Sequence, residues 1–287
     1  MSGVAPTTPP ELLGSRRSRL LGRVRPGGLS VAVLSSVVVF GVIGWLIISS
    51  PGWPLVQRSF FDAERFWSVL PDLARALWKN IQLFVIAEVL ILVFALGLAV
   101  MKSLPGPAFF PLRLIAVVYV DLFRAVPSIL VISLLGLGIP ALRLPGLPTD
   151  PFFWGVVALV LVWSAYVSEV YRAGIESIHP SQEAAARSLG LSRFQGLRHV
   201  VLPQAVRRVV PPLLNDFIGL QKDTALVSTI GVIEVFRRTG LEVQSGFNFT
   251  PYLACAAIFL VLTIPMARFV DWLVARDRRR QLAAVAR

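Results

Sequence analysis

The sequence predicts an all-α integral membrane protein with about six transmembrane helices, and three observations lead there. Hydrophobic residues make up 55% of the 287 and charged residues only 15%; the mean hydropathy is +0.72, far from the mix of a soluble domain. Apolar runs of the length that crosses about 30 Å of hydrocarbon, roughly 20 helical residues, occur at 30–50, 81–101, 114–142, 152–173, 209–236 and 252–274. Arg and Lys gather at the flanks of those runs, as they do beside membrane spans.

Taken in order, the run 30–50 is uncharged and follows Arg16, Arg17, Arg19, Arg23 and Arg25. It is too long for a cleaved signal, and Pro51, Gly52 and Trp53 follow it instead of a small-x-small site. In the stretch that precedes the second run, Phe66, Trp67, Leu70, Leu73, Leu77 and Trp78 have the spacing of an amphipathic helix lying on the membrane surface. Its Arg58, Arg65, Arg75 and Lys79 are largely offset by Asp62, Glu64 and Asp72. The second run holds one charge, Glu88, and the last carries Arg268 and Asp271 near its end. The third, fourth and fifth carry charges at membrane depth, which require a protein interior or a water path around them. Pro127 interrupts the third run and Pro211-Pro212 opens the fifth, bends that serve as scaffold or as gates.

Orientation follows from the basic flanks. The Arg residues before the first run, Arg276, Arg278, Arg279 and Arg280 after the last, and Arg187, Arg193, Arg198, Arg207 and Arg208 between the fourth and fifth fall on one side. That side is the cytosol, with both termini in it. The formal charge of +12 is thereby explained without a nucleic acid, since the basic residues are scattered along helix flanks and form no clustered face. One cysteine, Cys255, excludes a disulfide within the chain and a cysteine metal cluster. His179 and His199 lack the local spacing of a metal pair, so neither a metal site nor a catalytic residue is expected.

The loop between the fourth and fifth runs is the most informative segment. Pro180 suits the first position of a short helix, Gln182 to Leu189 are strong helix formers, and Gly190 suits a left-handed cap. Ser192 then caps a further helix running to Pro203. Ala184, Ala185 and Ala186 leave the short helix a face of little bulk, which is either merely good helix or a surface for close approach by another protein.

These residues carry a resemblance. The run from Ala165 to Ile175, Ser181-Gln182, the three alanines, Gly190, Leu202-Pro203-Gln204-Ala205, the segment Lys222 to Ser228 and, upstream, Tyr119 to Pro127 resemble the permease subunits of bacterial ABC importers for polar amino acids. The similarity runs from about Trp78 to Ala275 and includes the family's Glu-Ala-Ala, three residues, Gly, nine residues, aliphatic, one residue, Leu-Pro spacing. It implies a type I importer permease fold in the bacterial plasma membrane and a division of labour. Two permease subunits, of the same or a related chain, form the path; two cytosolic ATPase subunits dimerise on ATP; a solute-binding protein outside delivers the solute. ATP and Mg²⁺ would belong to the ATPase, in keeping with the lack of a Gly-x-x-x-x-Gly-Lys-Ser/Thr loop here, so this chain is expected to be no enzyme by itself and to carry no cofactor. The implied layout is a basic tail at 1–28, an extra helix and amphipathic connection at 29–79, the importer domain at 80–275 with its coupling loop at 176–208, and a second basic tail at 276–287.

The resemblance assigns contact with the ATPase to Gln182, Glu183, Ala184, Ala185, Ala186, Arg187, Gly190, Leu202 and Pro203. Two departures stand out. The family's Glu falls on Ala184, and Glu183 is one residue early, about 100° round the helix; it either makes the contact after a rotation or, the favoured reading, complements the helix dipole. The family's Lys-Asp-Thr-Ser-Leu is Lys-Asp-Thr-Ala-Leu here, without the hydroxyl at Ala225.

Polar residues at membrane depth are pairs that lock helices together or contacts for a zwitterionic solute. Asp121 with Arg124 and Glu169 with Arg172 have the spacing of internal pairs, and Lys222 and Asp223 need partners on other helices. Glu88, Asn215 and Asp216 stand alone and are better placed to line a path, to which Gln221 and Thr224 add neutral hydrogen bonds. An ion-coupled secondary transporter working without an ATPase is the competing class, but such folds have two matching sets of broken helices and only one is seen here.

Overall fold

Among the residues that the structure, a computed structural model, describes (28–285), every regular element is helical. The arginines at 16, 17, 19, 23 and 25 that bear on orientation lie outside the described residues, as do the side chains of Arg193, Arg278 and Arg280. The chain forms two units, Met1–Arg58 and Ser59–Arg287. In the first, α1 (Gly28–Ile48) is apolar on all sides and buries none of them, which is the pattern of a single lipid-facing span. After it, α2 (Trp53–Phe60) leads into the second unit.

The backbone of that unit is α3 (Ala63–Ser103), 41 residues in one helix. Asp62 starts it by accepting the Arg65 amide at 3.0 Å. Val69, Leu73, Asn80, Leu83, Ala87, Ile91, Ala95 and Leu98 recur at helical spacing and are all buried, so one stripe faces inward along its whole length. This corrects the expectation of a surface helix separate from the run 81–101. Val69 and Leu73 pack against Val235, Ala254 and Cys255 instead of lying on lipid, and the amphipathic pattern is the continuation of the same core stripe.

The run 114–142 is not one straight helix. It consists of α4 (Phe110–Ala125) and α5 (Ser128–Ser133), which ends in a π turn at Leu134–Gly138 and a last turn at Ile139–Ala141; the two halves meet at 102°. The cause is Pro127, which forces Val126 out of the helical region to φ −88, ψ 130. Next, α6 (Pro151–Glu176) starts on an Asp150 cap and runs through the middle of the unit between α3 and the later helices.

A short helix, α7 (Pro180–Ser188), and a single turn, α8 (Arg193–Gly196), follow. The path stays helical through a π turn at Leu197–Val201 into α9 (Leu202–Asp223), so the expected stop at Pro203 is absent. Widening of the turn just before Pro203 moves aside the carbonyls its ring would strike. Pro211 and Pro212 therefore lie in the middle of α9, not at its start. The run 209–236 is likewise divided, since α9 passes into a 3-10 segment (Thr224–Ile230) that ends at left-handed Gly231, φ +96, before α10 (Val235–Gly246) and α11 (Thr250–Val285). By length and apolarity 4 of the helices can cross a membrane, or up to 5 if the bent pair counts as one, fewer than the six runs suggest. The shortfall is α9, which is long enough but carries Arg207, Arg208, Asp216, Lys222 and Asp223.

The main core joins α3 (Leu83, Ala87, Ile91) to α6 (Leu159, Val162), Leu220 of α9 and Ile230. Small residues set the closest approaches: a β-carbon on Gly174 of α6 would sit 2.0 Å from a Val209 methyl, and one on Gly136 would sit 2.5 Å from Ile230. These two glycines bring α6 against α9 and the π turn against the 3-10 segment.

Candidate functional site

At the turn between α6 and α9, α7 is fixed at both ends by local chemistry. His179, extended at φ −64, ψ 136, accepts the Ser181 amide on Nδ1 at 3.2 Å, and Pro180 fills the first helical position, where no N–H is needed. At the other end Gly190 takes φ +81, so that its amide donates to the Arg187 carbonyl at 2.9 Å and that of Leu191 to Ala186 at 3.2 Å. Ser192 and Gln195 then cap each other's amides at 2.9 and 3.3 Å, the reciprocal box that starts α8.

The face this helix offers differs from the expected one. Ala184 and Ala185 are exposed, but Ala186 is buried 3.4 Å from where a Gly196 β-carbon would stand, and it seats α7 on α8. Glu183 pairs with Arg187 at 3.3 Å, one turn on. Leu189 is 83% exposed and Phe194 68%. These two apolar side chains were not among the sequence candidates, since Ile178, Leu191, Leu197 and other apolar residues share the loop and the sequence does not mark which of them are exposed. Gln204 reaches back to Gln182 at 3.4 Å, and the Arg208 guanidinium donates to the Ser177 carbonyl at 2.5 Å. The start of α9 is thus tied to the end of α6 across the base of α7. Leu202 and Pro203 are exposed beside it.

Immediately beyond that tie lies a cleft of about 390 Å³ between α6 and α9, lined by Arg124, Tyr166, Glu169, Gly174, Arg208 and Asp216, among others. Glu169 is the hub: Lys102 donates to it, Arg172 donates at 2.6 Å, and Arg124 stands at 4.0 Å. Arg172 also holds Glu176 at 2.7 Å, as the spacing implies. The expected Asp121–Arg124 pair is not formed. Arg124, at the end of α4, turns toward α6 and lies over the Tyr166 ring at 5.8 Å, leaving Asp121 exposed without an ion pair among the described residues. Asp216 has Oδ2 buried with no hydrogen-bond partner. Glu88 is half-buried on α3 and is not among the residues that line this cleft.

The remaining sequence candidates fall elsewhere. Asn215 and Lys222 are exposed and line no part of this cleft; Lys222 finds no partner on another helix among the described residues. Asp223 accepts from the Trp163 indole at 3.2 Å. Gln221 and Thr224, expected on the path, are buried scaffold instead. Thr263 donates to Gln221 at 3.3 Å, and Thr224, fully buried, accepts from Asn80 at 3.1 Å while donating to the Gln221 carbonyl at 2.7 Å. Asn80 also donates to buried Glu234 at 2.9 Å and accepts the Val235 amide at 3.0 Å. Glu234 in turn caps α10 by accepting the amides of Phe236 and Arg237 at 2.9 and 2.7 Å. This network, missed from sequence because Asn80 and Glu234 lie 154 residues apart, pins α3 to the 3-10 segment and α10. No group of three or more metal-binding side chains occurs among the described residues.

Residues 92–279 match the family described as binding-protein-dependent transport system inner membrane component. The chain is 35% identical over 184 residues to the probable glutamine ABC transporter permease protein GlnM of Bacillus subtilis (strain 168), covering 64% of this chain and 83% of that protein. It is 30% identical over 207 residues to the arginine transport system permease protein ArtQ of the same organism, covering 72% and 92%. Among solved structures it superposes on an amino acid ABC transporter with TM-score 0.68 and 30% identity, covering 75% of this chain and 98% of that one. The inward-facing methionine ABC transporter MetNI shares the fold at TM-score 0.58 and 19% identity, covering 71% and 95%. A helical membrane unit with a capped short helix between α6 and α9, matched over that whole region, therefore belongs to the family of inner membrane components of binding-protein-dependent transport systems and is a permease subunit of an ABC transporter.

Proposed function

We propose that this chain forms half of the membrane path of an ATP-driven importer for an amino acid, working by alternating access. ATP hydrolysis belongs to a separate pair of cytosolic ATPase subunits, which grip α7 through Ala184, Ala185, Leu189 and Gly190. A second permease subunit, the same or a related chain, completes the path, and a solute-binding protein docks on the opposite face. The basic flanks support an orientation with both termini and α7 in the cytosol.

The observation that carries this reading is the Arg208 to Ser177 tie, 2.5 Å long, at the base of α7. Because α6 and α9 are joined there and also line the charged cleft, a displacement of α7 moves both cleft walls together. The cleft suits a zwitterion: Arg124 and Arg208 offer donors to a carboxylate, and the carboxylate of Asp216, which lines the cleft, offers an acceptor to an ammonium. The relatives named for glutamine and arginine support an amino acid as the solute. To shift the path between its two states, the ATPase needs only a few kcal/mol of differential interaction, since about 1.4 kcal/mol is a tenfold change.

The test is uptake of radiolabelled amino acids into proteoliposomes holding the complete complex. Uptake requiring both ATP and the binding protein is expected. Uptake by this chain alone, driven by an ion gradient, would overturn the proposal.

A further inference from the structure

A second groove, of about 280 Å³, runs between α9 and α11 on surface that the solute cleft does not use. It is lined by Val206, Val210, Pro211, Leu214 and Leu273 together with two arginines, Arg207 and Arg276. Both arginines are exposed, and neither has a carboxylate partner among the described residues. Arg276 lies over the Trp272 ring at 5.1 Å, and Trp272 stacks on Phe269.

The geometry points to a binding site for one anionic glycerophospholipid, with its phosphate between Arg207 and Arg276 and an acyl chain along Val206, Val210, Leu214 and Leu273. Two cations in the lining of an apolar groove match a molecule with one charged end and one hydrocarbon end, and a soluble phosphate would leave the apolar walls unused. An exposed Trp beside the arginines is the residue type that settles at headgroup level. The arginines near the solute cleft, by contrast, find carboxylates or carbonyls, as Arg172 and Arg208 do. That the lipid belongs to the cytosolic leaflet rests on the orientation proposed above.

The chain, with whatever subunits co-purify, is reconstituted in nanodiscs of equal parts phosphatidylcholine and phosphatidylglycerol, released into mild detergent, and examined by native mass spectrometry. The wild type is expected to retain phosphatidylglycerol over phosphatidylcholine by roughly thirtyfold, from two arginines near the headgroup plane. An Arg207→Gln, Arg276→Gln double variant is expected to lose that preference, and Leu273→Trp, which fills the groove and keeps both charges, to lose it as well. Arg279→Gln, outside the groove, is expected to keep it. Equal retention of both lipids by the wild type overturns the site, whether a partner subunit covers the groove or the arginines stay in water; so does an equal loss in Arg279→Gln, which would mean general surface charge. Retention is blind to orientation, so an error in the leaflet shows separately, as accessibility of a reporter at residue 276 from the wrong side of sealed vesicles.

Discussion

The guanidinium of Arg208, one turn and a half into α9, donates to the backbone carbonyl of Ser177 at the end of α6, 2.5 Å away and 31 residues back in the chain. Everything between the two residues, α7 included, is a closed excursion from one hydrogen-bonded junction. Replacing Arg208 with Ala removes a charge-assisted bond of about 1.5 kcal/mol or more, enough to loosen transmission from α7 to the cleft. Uptake in membrane vesicles is expected to fall about tenfold, with the amount of inserted chain, read by immunoblot, unchanged.

Gly174 has no room for a side chain. A Gly174→Val variant places new atoms where a Val209 methyl already stands, 2.0 Å from the added β-carbon, and parts α6 from α9. Thermal unfolding in detergent is expected to show a loss of about 1–3 kcal/mol, the usual cost of overpacking. Adding Val209→Ala should restore much of it, because the two residues compete for one volume and their effects are therefore not additive.

Much of this fold was legible in the chain, for identifiable reasons. Local signals were sufficient for α7: a proline at its start, strong helix formers within it and Gly190 at φ +81 after it are decided by neighbours in sequence. The long-range polar partners were not. Arg124 has an acid three residues before it and still turns to Glu169 on another helix, and Thr224 looks like a path residue until Asn80, 144 residues away, arrives to bond it. The 102° break at Pro127 was signalled by the proline but not its size, which depends on Val126 becoming extended. The run 66–78 and the next crossing read as two helices because solvent-facing charges on the first obscure the stripe that they share.

Asn80 is expected to be a folding residue. Changing it to Leu strands the Val235 amide and removes a donor from Glu234, which is fully buried. A buried carboxylate that loses a partner costs on the order of 3 kcal/mol, so the variant should fail to accumulate in membranes, whereas Thr224→Ser, which keeps the hydroxyl, should reach nearly the wild-type level. Quantitative immunoblots of the membrane fraction check both.

Asp216 is expected to affect transport without affecting the fold. Its buried Oδ2 has no partner to lose, so Asp216→Asn should leave the unfolding temperature close to wild type. Loss of a charge-assisted bond to the solute ammonium is worth about 1.5–3 kcal/mol, so uptake at low solute concentration should fall at least about tenfold while basal ATP hydrolysis by the complex persists. A parallel fall in thermal stability would assign Asp216 to the scaffold.

The central claim is that α7 is the handle by which an ATPase works this subunit, and co-purification tests it most directly. The tagged chain is extracted in mild detergent from its own host and compared with an Ala185→Trp, Leu189→Glu variant, whose changes lie on exposed side chains of the α7 segment and leave His179 and Gly190 in place. An ABC ATPase subunit that comes with the wild type and is lost from the inserted variant is the predicted result. An ATPase retained equally by both, or found with neither, would contradict the account.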